Sequence, residues 1–329
     1  MLRGFFLSLI NRLLFVVLFL SVSFYASAET AMRTNFQNGV SEMVNKILNS
    51  PDSDLRVWTI AASTFLAAVT AFVYFWRFVE NGGALVDLFT LAIMFMLSMS
   101  LLASYSMVVD TITGAFYAIS NTLQKLALGN IKPSFLQNFV EGVLTKAISA
   151  PSVDIFDGMN MVGMALLWEI CSAILSVAIY LADVWIDVGT AIAKITGVMF
   201  IPFLVAPATR GIFDGWFKFY IGWGLAAVVL KITSIVVMIM IRASINSAGS
   251  FQGAGDVIAS DGTVNGVLNI TASNISLLRD ICAYSVIAAI MVFSCFIFAY
   301  MIGSGVGSAS QGLNNMAVKL AKKAAKALL

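Results

Sequence analysis

Histidine is absent from the 329 residues, and that single absence removes several reaction classes. Ser-His-Asp and Cys-His nucleophilic chemistry, the H-E-x-x-H metalloproteases and most histidine-ligated metal sites all need an imidazole. Charge is nearly as scarce: Asp, Glu, Lys and Arg together make 11% of the chain, against 60% hydrophobic residues. Soluble domains carry roughly 25% charged residues, so too little polar surface exists here to cover a water-exposed globule. The three cysteines, Cys171, Cys282 and Cys295, lie inside apolar runs and form no C-x-x-C pair. An odd count at such places argues for packing thiols rather than a disulfide framework. No catalytic residue, cofactor site or metal site is expected, and the chain reads as a non-enzyme.

What the sequence has in quantity is long apolar runs. Several reach about 20 residues, enough to cross a ~30 Å hydrocarbon core at ~1.5 Å per residue. The expected fold is all-α: a polytopic membrane bundle with about five spans plus one re-entrant or interfacial segment. Residues 1–28 read as a signal peptide. Arg3 and Arg12 precede an apolar run, Leu13 to Phe24, and Ala26-Ser27-Ala28 offers a cleavage site. Its removal takes two of the 19 basic residues and leaves 17, equal to the 17 acidic ones. Net charge therefore carries no information about partners, and only its placement can.

Residues 29–56 form an exported N-terminal segment. Residues 57–109 hold two spans, Val57 to Val79 and Leu85 to Val109, joined by the turn Asn81-Gly82-Gly83. An exported central loop follows over 110–160, where Ile112, Phe116, Ile119, Leu123 and Leu126 recur at helical spacing and suggest an amphipathic helix. Residues 161–303 are the membrane core, with spans Val162–Ala182, Phe219–Ile241 and Ile281–Gly303 and a Gly/Ser-rich exported loop over 243–280. Residues 304–329 are a basic tail.

Val188 to Pro207 decides the topology. It is long enough to cross, yet it carries Lys194, Pro202 and Pro207. A crossing there makes six spans and leaves most Lys and Arg outside. A re-entrant or interfacial segment makes five and places Arg77, Arg210, Lys218 and the tail lysines inside, as the positive-inside bias prefers. On the five-span reading "PATRG" turns the chain at the cytoplasmic interface, with Arg210 toward the headgroups. Asp214 is then expected to pair with Arg210 or Lys218. Trp216, Phe217, Phe219, Tyr220 and Trp223 are expected to form an aromatic belt.

The apolar block ending in "FIPFLVAPATRGIFDGWFKFYIGWGLAAVVLK" resembles the TrbL/VirB-six family of type IV secretion and conjugation systems. Pro207, Thr209, Arg210, Phe213, Asp214 and Trp216 look like that family's P-x-T-R-x-x-F-D-x-W core. General layout extends the likeness over about residues 30 to 303. The resemblance implies a multi-pass protein of the bacterial inner membrane, with a periplasmic N-terminus and a cytoplasmic C-terminus. It implies a homo-oligomeric scaffold or channel component that supports pilus assembly and passage of DNA or protein. Implied partners are the pilin, the minor pilus-tip protein, the secretion ATPase, inner-membrane scaffold proteins and, transiently, transferred DNA. The long polar C-terminal extension of some members has no counterpart here.

Three ionisable residues stand within apolar runs: Glu169, Lys194 and Lys231. A charge near a span's centre costs roughly 2.5–3.5 kcal/mol on insertion scales, and pairing Glu169 with Lys231 or Lys194 would offset it. Such a pair fixes helix packing or a subunit interface; lining a substrate path or coupling to an ion are the other readings. In the tail, Lys319, Lys322, Lys323 and Lys326 fall at i, i+3, i+4 and i+7, with Leu313, Met316, Leu320, Ala324 and Leu328 on another face. That pattern suits membrane lipids of an anionic leaflet, or an acidic partner. Gly303, Gly305 and Gly307 lack the Gly-Lys-Ser/Thr of a phosphate loop and read as a joint. A secondary transporter or channel for a small solute is the alternative function, because a Pro-broken segment and buried lysines also mark transport sites.

Overall fold

The computed structural model describes residues 35–46 (37 excepted), 54–81, 85–128, 145–149, 159–251, 255–259, 262–270 and 275–328, with 136, 139, 140 and 253 as single positions. The expected signal peptide lies outside the described residues. A helical stretch over 38–46 precedes α1 (Asp54–Asn81), α2 (Leu85–Ala103) and α3 (Tyr105–Leu128). Then come β1 (Ile148–Ser149), α4 (Met159–Phe200), a 3-10 turn (Ile201–Leu204) and α5 (Arg210–Phe251). After β2 (Leu268–Asn269) the chain ends in α6 (Ile275–Ser304) and α7 (Ala309–Leu328). The two strands are two residues each and pair in parallel, Ile148 with Leu268 and Ser149 with Asn269. The architecture is all-α.

Among the described residues, five helical segments are long and apolar enough to cross a bilayer. They begin at Asp54, Leu85, Gly163, Arg210 and Ile275, matching the five expected spans. The segment expected to be re-entrant is different. Residues 188–200 are the last turns of α4, which runs unbroken through Asp183, Asp187 and Lys194 for 42 residues. Charged residues tolerate a helix interior; proline does not. The helix therefore ends at Pro202, at the head of the 3-10 turn, and not at the charges. At ~1.5 Å per residue, α4 and α5 are each about 63 Å long. That is about twice what a ~30 Å hydrocarbon core requires of one span.

The expected amphipathic helix after the second span is α3, which follows α2 with hydrogen bonding carried through Ser104. Its buried positions are Tyr105, Val109, Ser120 and Gln124, while Ile119 and Leu126 of the anticipated apolar stripe are exposed.

Contacts divide the chain into two compact units. One takes Ala118–Ile186 and Ala227–Phe298, the other Asn35–Tyr117, Asp187–Ala226 and Ala299–Leu329. In the first, Asn246 on α5 holds the loop after it: its side-chain NH2 donates to Ile258 O and its Oδ1 accepts from Ile258 N, both at 2.8 Å. Cys171, Cys282 and Cys295 are free and buried there, as their apolar surroundings require. The second unit is built on α2. Helix α1 lies against it, both meet the 3-10 turn, and α7 packs along it. Its core joins Met94, Leu102, Tyr105, Val198, Ile201, Leu204, Phe213, Trp216, Tyr220 and Ala317.

Candidate functional site: the corner between α4 and α5

A helix end leaves carbonyls without intrahelical donors, and the end of α4 is buried: Ile201, Pro202, Leu204, Val205 and Ala206 are all inside. An unpaired buried carbonyl costs about 1–3 kcal/mol, so the donors must come from somewhere. Every carbonyl from Ile201 to Ala206 has one. Ser98 Oγ donates to Ile201 O at 3.3 Å and Val205 N to Pro202 O at 3.1 Å. Thr209 Oγ1 lies within donating distance of Phe203 O (3.0 Å) and Ala206 O (3.1 Å), and Thr209 N also donates to Ala206 O. Arg210 Nε donates to Leu204 O at 3.1 Å and Nη2 to Val205 O at 3.4 Å. The Thr-Arg pair thus satisfies a buried helix terminus. Arg210 does not face headgroups as expected; its guanidinium turns back onto the backbone, and Nη1 reaches Asn314 Oδ1 at 2.7 Å.

The aromatics on the first turns of α5 are not an interfacial belt. Phe213, Trp216 and Tyr220 are buried, and only Phe219 of the group is exposed. Trp216 stacks on Tyr220 with ring centres 5.9 Å apart and meets Phe213 at 5.6 Å. Their polar ends are spent on backbone. Trp216 Nε1 donates to Ala193 O (2.9 Å), Tyr220 Oη to Val109 O (2.6 Å) and Tyr105 Oη to Lys194 O (2.6 Å). Gly197 makes this approach possible, because a Cβ there would strike Tyr105 Oη and the Trp216 ring.

Among the described residues Asp214 makes no close ion pair with Arg210 or Lys218, although both cations act on it through space. Its carboxylate accepts from Ser308 Oγ and Ser310 Oγ at 2.6 Å and from Ser310 N at 2.8 Å. These groups form the first turn of α7, where Ser308 Oγ also caps Gln311 N at 3.1 Å. A carboxylate at a helix N-terminus meets free N–H groups and the positive end of the helix dipole. Asp214 and Arg210 together clasp the tail to the corner. Gly303 is no flexible joint: it is buried, and a Cβ there would lie 3.2 Å from Gly222 Cα.

Lys194 pairs with Asp110, Nζ to Oδ1 at 3.0 Å, rather than with Glu169. It lines a cleft of about 220 Å³ with Asp187, Tyr117, Thr113 and Thr190, where Tyr117 Oη lies 3.4 Å from Asp187 Oδ1. Glu169 is exposed and has no ion pair among the described residues; Lys231 is half-buried in α5. Lys319, Lys322, Lys323 and Lys326 are all exposed on α7. Ser310, Ala317 and Ala321 are inside, Leu313 half inside, while Met316, Leu320 and Ala324 are exposed.

The structure therefore brings all six motif positions to one corner: Pro207 in the exposed turn, Thr209, Arg210 and Asp214 as polar ties, Phe213 and Trp216 as core. Sequence reasoning missed Ser98, Ser308, Ser310 and Asn314. A donor-rich Ser-x-Ser ahead of an apolar-periodic stretch is a helix-start signal, but nothing local names its distant partner. No family model matches the chain, and no curated protein matches it.

Proposed function

We propose that this chain is a non-enzymatic scaffold or channel component of a type IV secretion or conjugation apparatus in the bacterial inner membrane. On this reading it is a homo-oligomer, with its N-terminus in the periplasm and its C-terminus in the cytoplasm. It supports pilus assembly and translocation of DNA or protein. The observation that carries the reading is the corner. The residues resembling the family's P-x-T-R-x-x-F-D-x-W core act as one unit, and each tie they make is to backbone or to the tail rather than to a pocket. A motif used to fix helix ends fits a protein whose work is to hold a shape among partners.

Extraction in mild detergent, followed by size analysis and identification of bound proteins, tests this. The expected result is a homo-oligomer carrying pilin and the secretion ATPase. A monomer without either protein, from cells that assemble pili normally, overturns the reading. A second reading, a small-solute transporter, draws on the polar cleft of Lys194, Asp187, Thr113, Tyr117 and Thr190. Solute movement by purified protein in liposomes, without any partner, decides for it.

A further inference from the structure

Helix α7 has its rotation about its own axis fixed. Ser310, Ala317 and Ala321 are buried, and the small alanines let it approach α2 closely. At ~100° per residue, Lys319, Lys322, Lys323 and Lys326 centre on the side opposite that stripe. All four are exposed, and the helix contains no Asp or Glu. Met316 and Leu320 flank the lysines, 62% and 55% exposed. The clasp holds the other end: Asp214 on Ser308 and Ser310, Arg210 on Asn314.

We propose that the outward face of α7 binds anionic phospholipid headgroups, and that Asp214 and Arg210 are positioning residues that present it. Lipid is the occupant for three physical reasons. Only four residues separate α7 from α6, and α7 packs on α2; both are membrane-length helices, so the bilayer surface is permanently within reach. Tethering of that kind gives a high effective concentration that no free partner matches. The exposed apolar pair beside the charges suits the headgroup–acyl boundary, as interfacial helices do. Lysines are compact point charges suited to scattered phosphates, whereas reading a carboxylate or nucleobase pattern favours the arginine fork. This inference does not rest on the secretion reading.

The test uses the full chain in nanodiscs of phosphatidylcholine alone or with about one-third phosphatidylglycerol. An environment-sensitive dye is placed on Asn315→Cys, an exposed position beside the lysines. The expected result is a blue shift of emission in the anionic discs only, abolished by high salt and by the joint change of Lys319, Lys322, Lys323 and Lys326 to Gln. Asp214→Asn should at least halve the shift without altering the tryptophan thermal transition, and Asp214→Glu should restore it. Equal emission in both discs overturns the proposal. So does a shift in neutral discs on adding duplex DNA or polyglutamate, with none from phosphatidylglycerol. If Asp214→Asn lowers the thermal transition and the shift together, Asp214 is a stability residue and its positioning role is overturned; the lysine variant still decides the lipid site.

Discussion

Gly197 and Gly215 stand on either side of the corner and meet opposite surroundings. A methyl at Gly197 would collide with Tyr105 Oη and the Trp216 ring, whereas one at Gly215 would meet nothing within 4 Å among the described residues. Gly197→Ala should therefore lower the thermal midpoint in detergent, with overpacking of a filled core costing about 1–3 kcal/mol. Gly215→Ala, at an exposed position inside α5, should raise it, because removing a glycine from a helix is worth about 0.5–1 kcal/mol. Tryptophan fluorescence on heating reads both, and equal signs would refute the packing described. The Lys194–Asp110 pair is similarly unequal. Asp110 is 55% exposed and Lys194 only 14%. Asp110→Asn leaves a half-buried ammonium without its partner, though Asp187 shares its cleft. Lys194→Met leaves a carboxylate that water can solvate. The aspartate change should be the more destabilising of the two, by the same melting measurement. The sequence marked Lys194 as costly to bury but not its partner, because Asp110 reads as a loop residue until α3 is known to carry it.

Helices α4 and α7 differ in how far their sequences betrayed them. For α4 the apolar runs were plain, but Lys194, Pro202 and Pro207 marked Val188 onward as a separate segment, and Asp183 and Asp187 stand just before it. The charges are no interruption, since a lysine or aspartate costs a helix only tenths of a kcal/mol in propensity and two of these find partners inside the unit. Pro202 was the true stop. For α7 the lysine spacing was legible and the buried face was not. Its hydrophobic residues gave one stripe, and the residues buried inside the unit, Ser310, Ala317 and Ala321, form another. Small residues carry little hydropathy signal, yet they let helix axes approach. Ala317→Leu should push α7 off α2, and trypsin should then cleave at Lys319 to Lys326 several-fold faster, with the bundle's melting little changed. Cleavage at the wild-type rate would mean that α7 does not depend on that contact.

The five membrane-length helices among the described residues, and their order, were readable from composition and run length, because the bilayer sets both. What composition does not show is that α4 stays one helix through residues 159–200, so that Val188 onward begins no separate helix. That continuity bears on sidedness. If the five helices cross once each, the N-terminal end of α1 and the tail fall on opposite sides, and the ties from Arg210 and Asp214 to α7 put the corner and the tail on one side together. On the proposed orientation the tail lysines, Arg210 and Lys218 all lie in the cytoplasm, where the positive-inside bias prefers them. A phosphatase active only outside should thus be silent when fused after Leu329 or inserted at Ala208, and active at Gly255, in the loop following α5. A fluorescent protein that matures only in the cytoplasm should show the reverse. Phosphatase activity at Leu329 would invert the molecule and place the lysine face of α7 against the outer leaflet of that membrane. Activity at Ala208 but not at Leu329 would require the corner and the tail to part, which the Asp214 and Arg210 ties forbid in the folded chain.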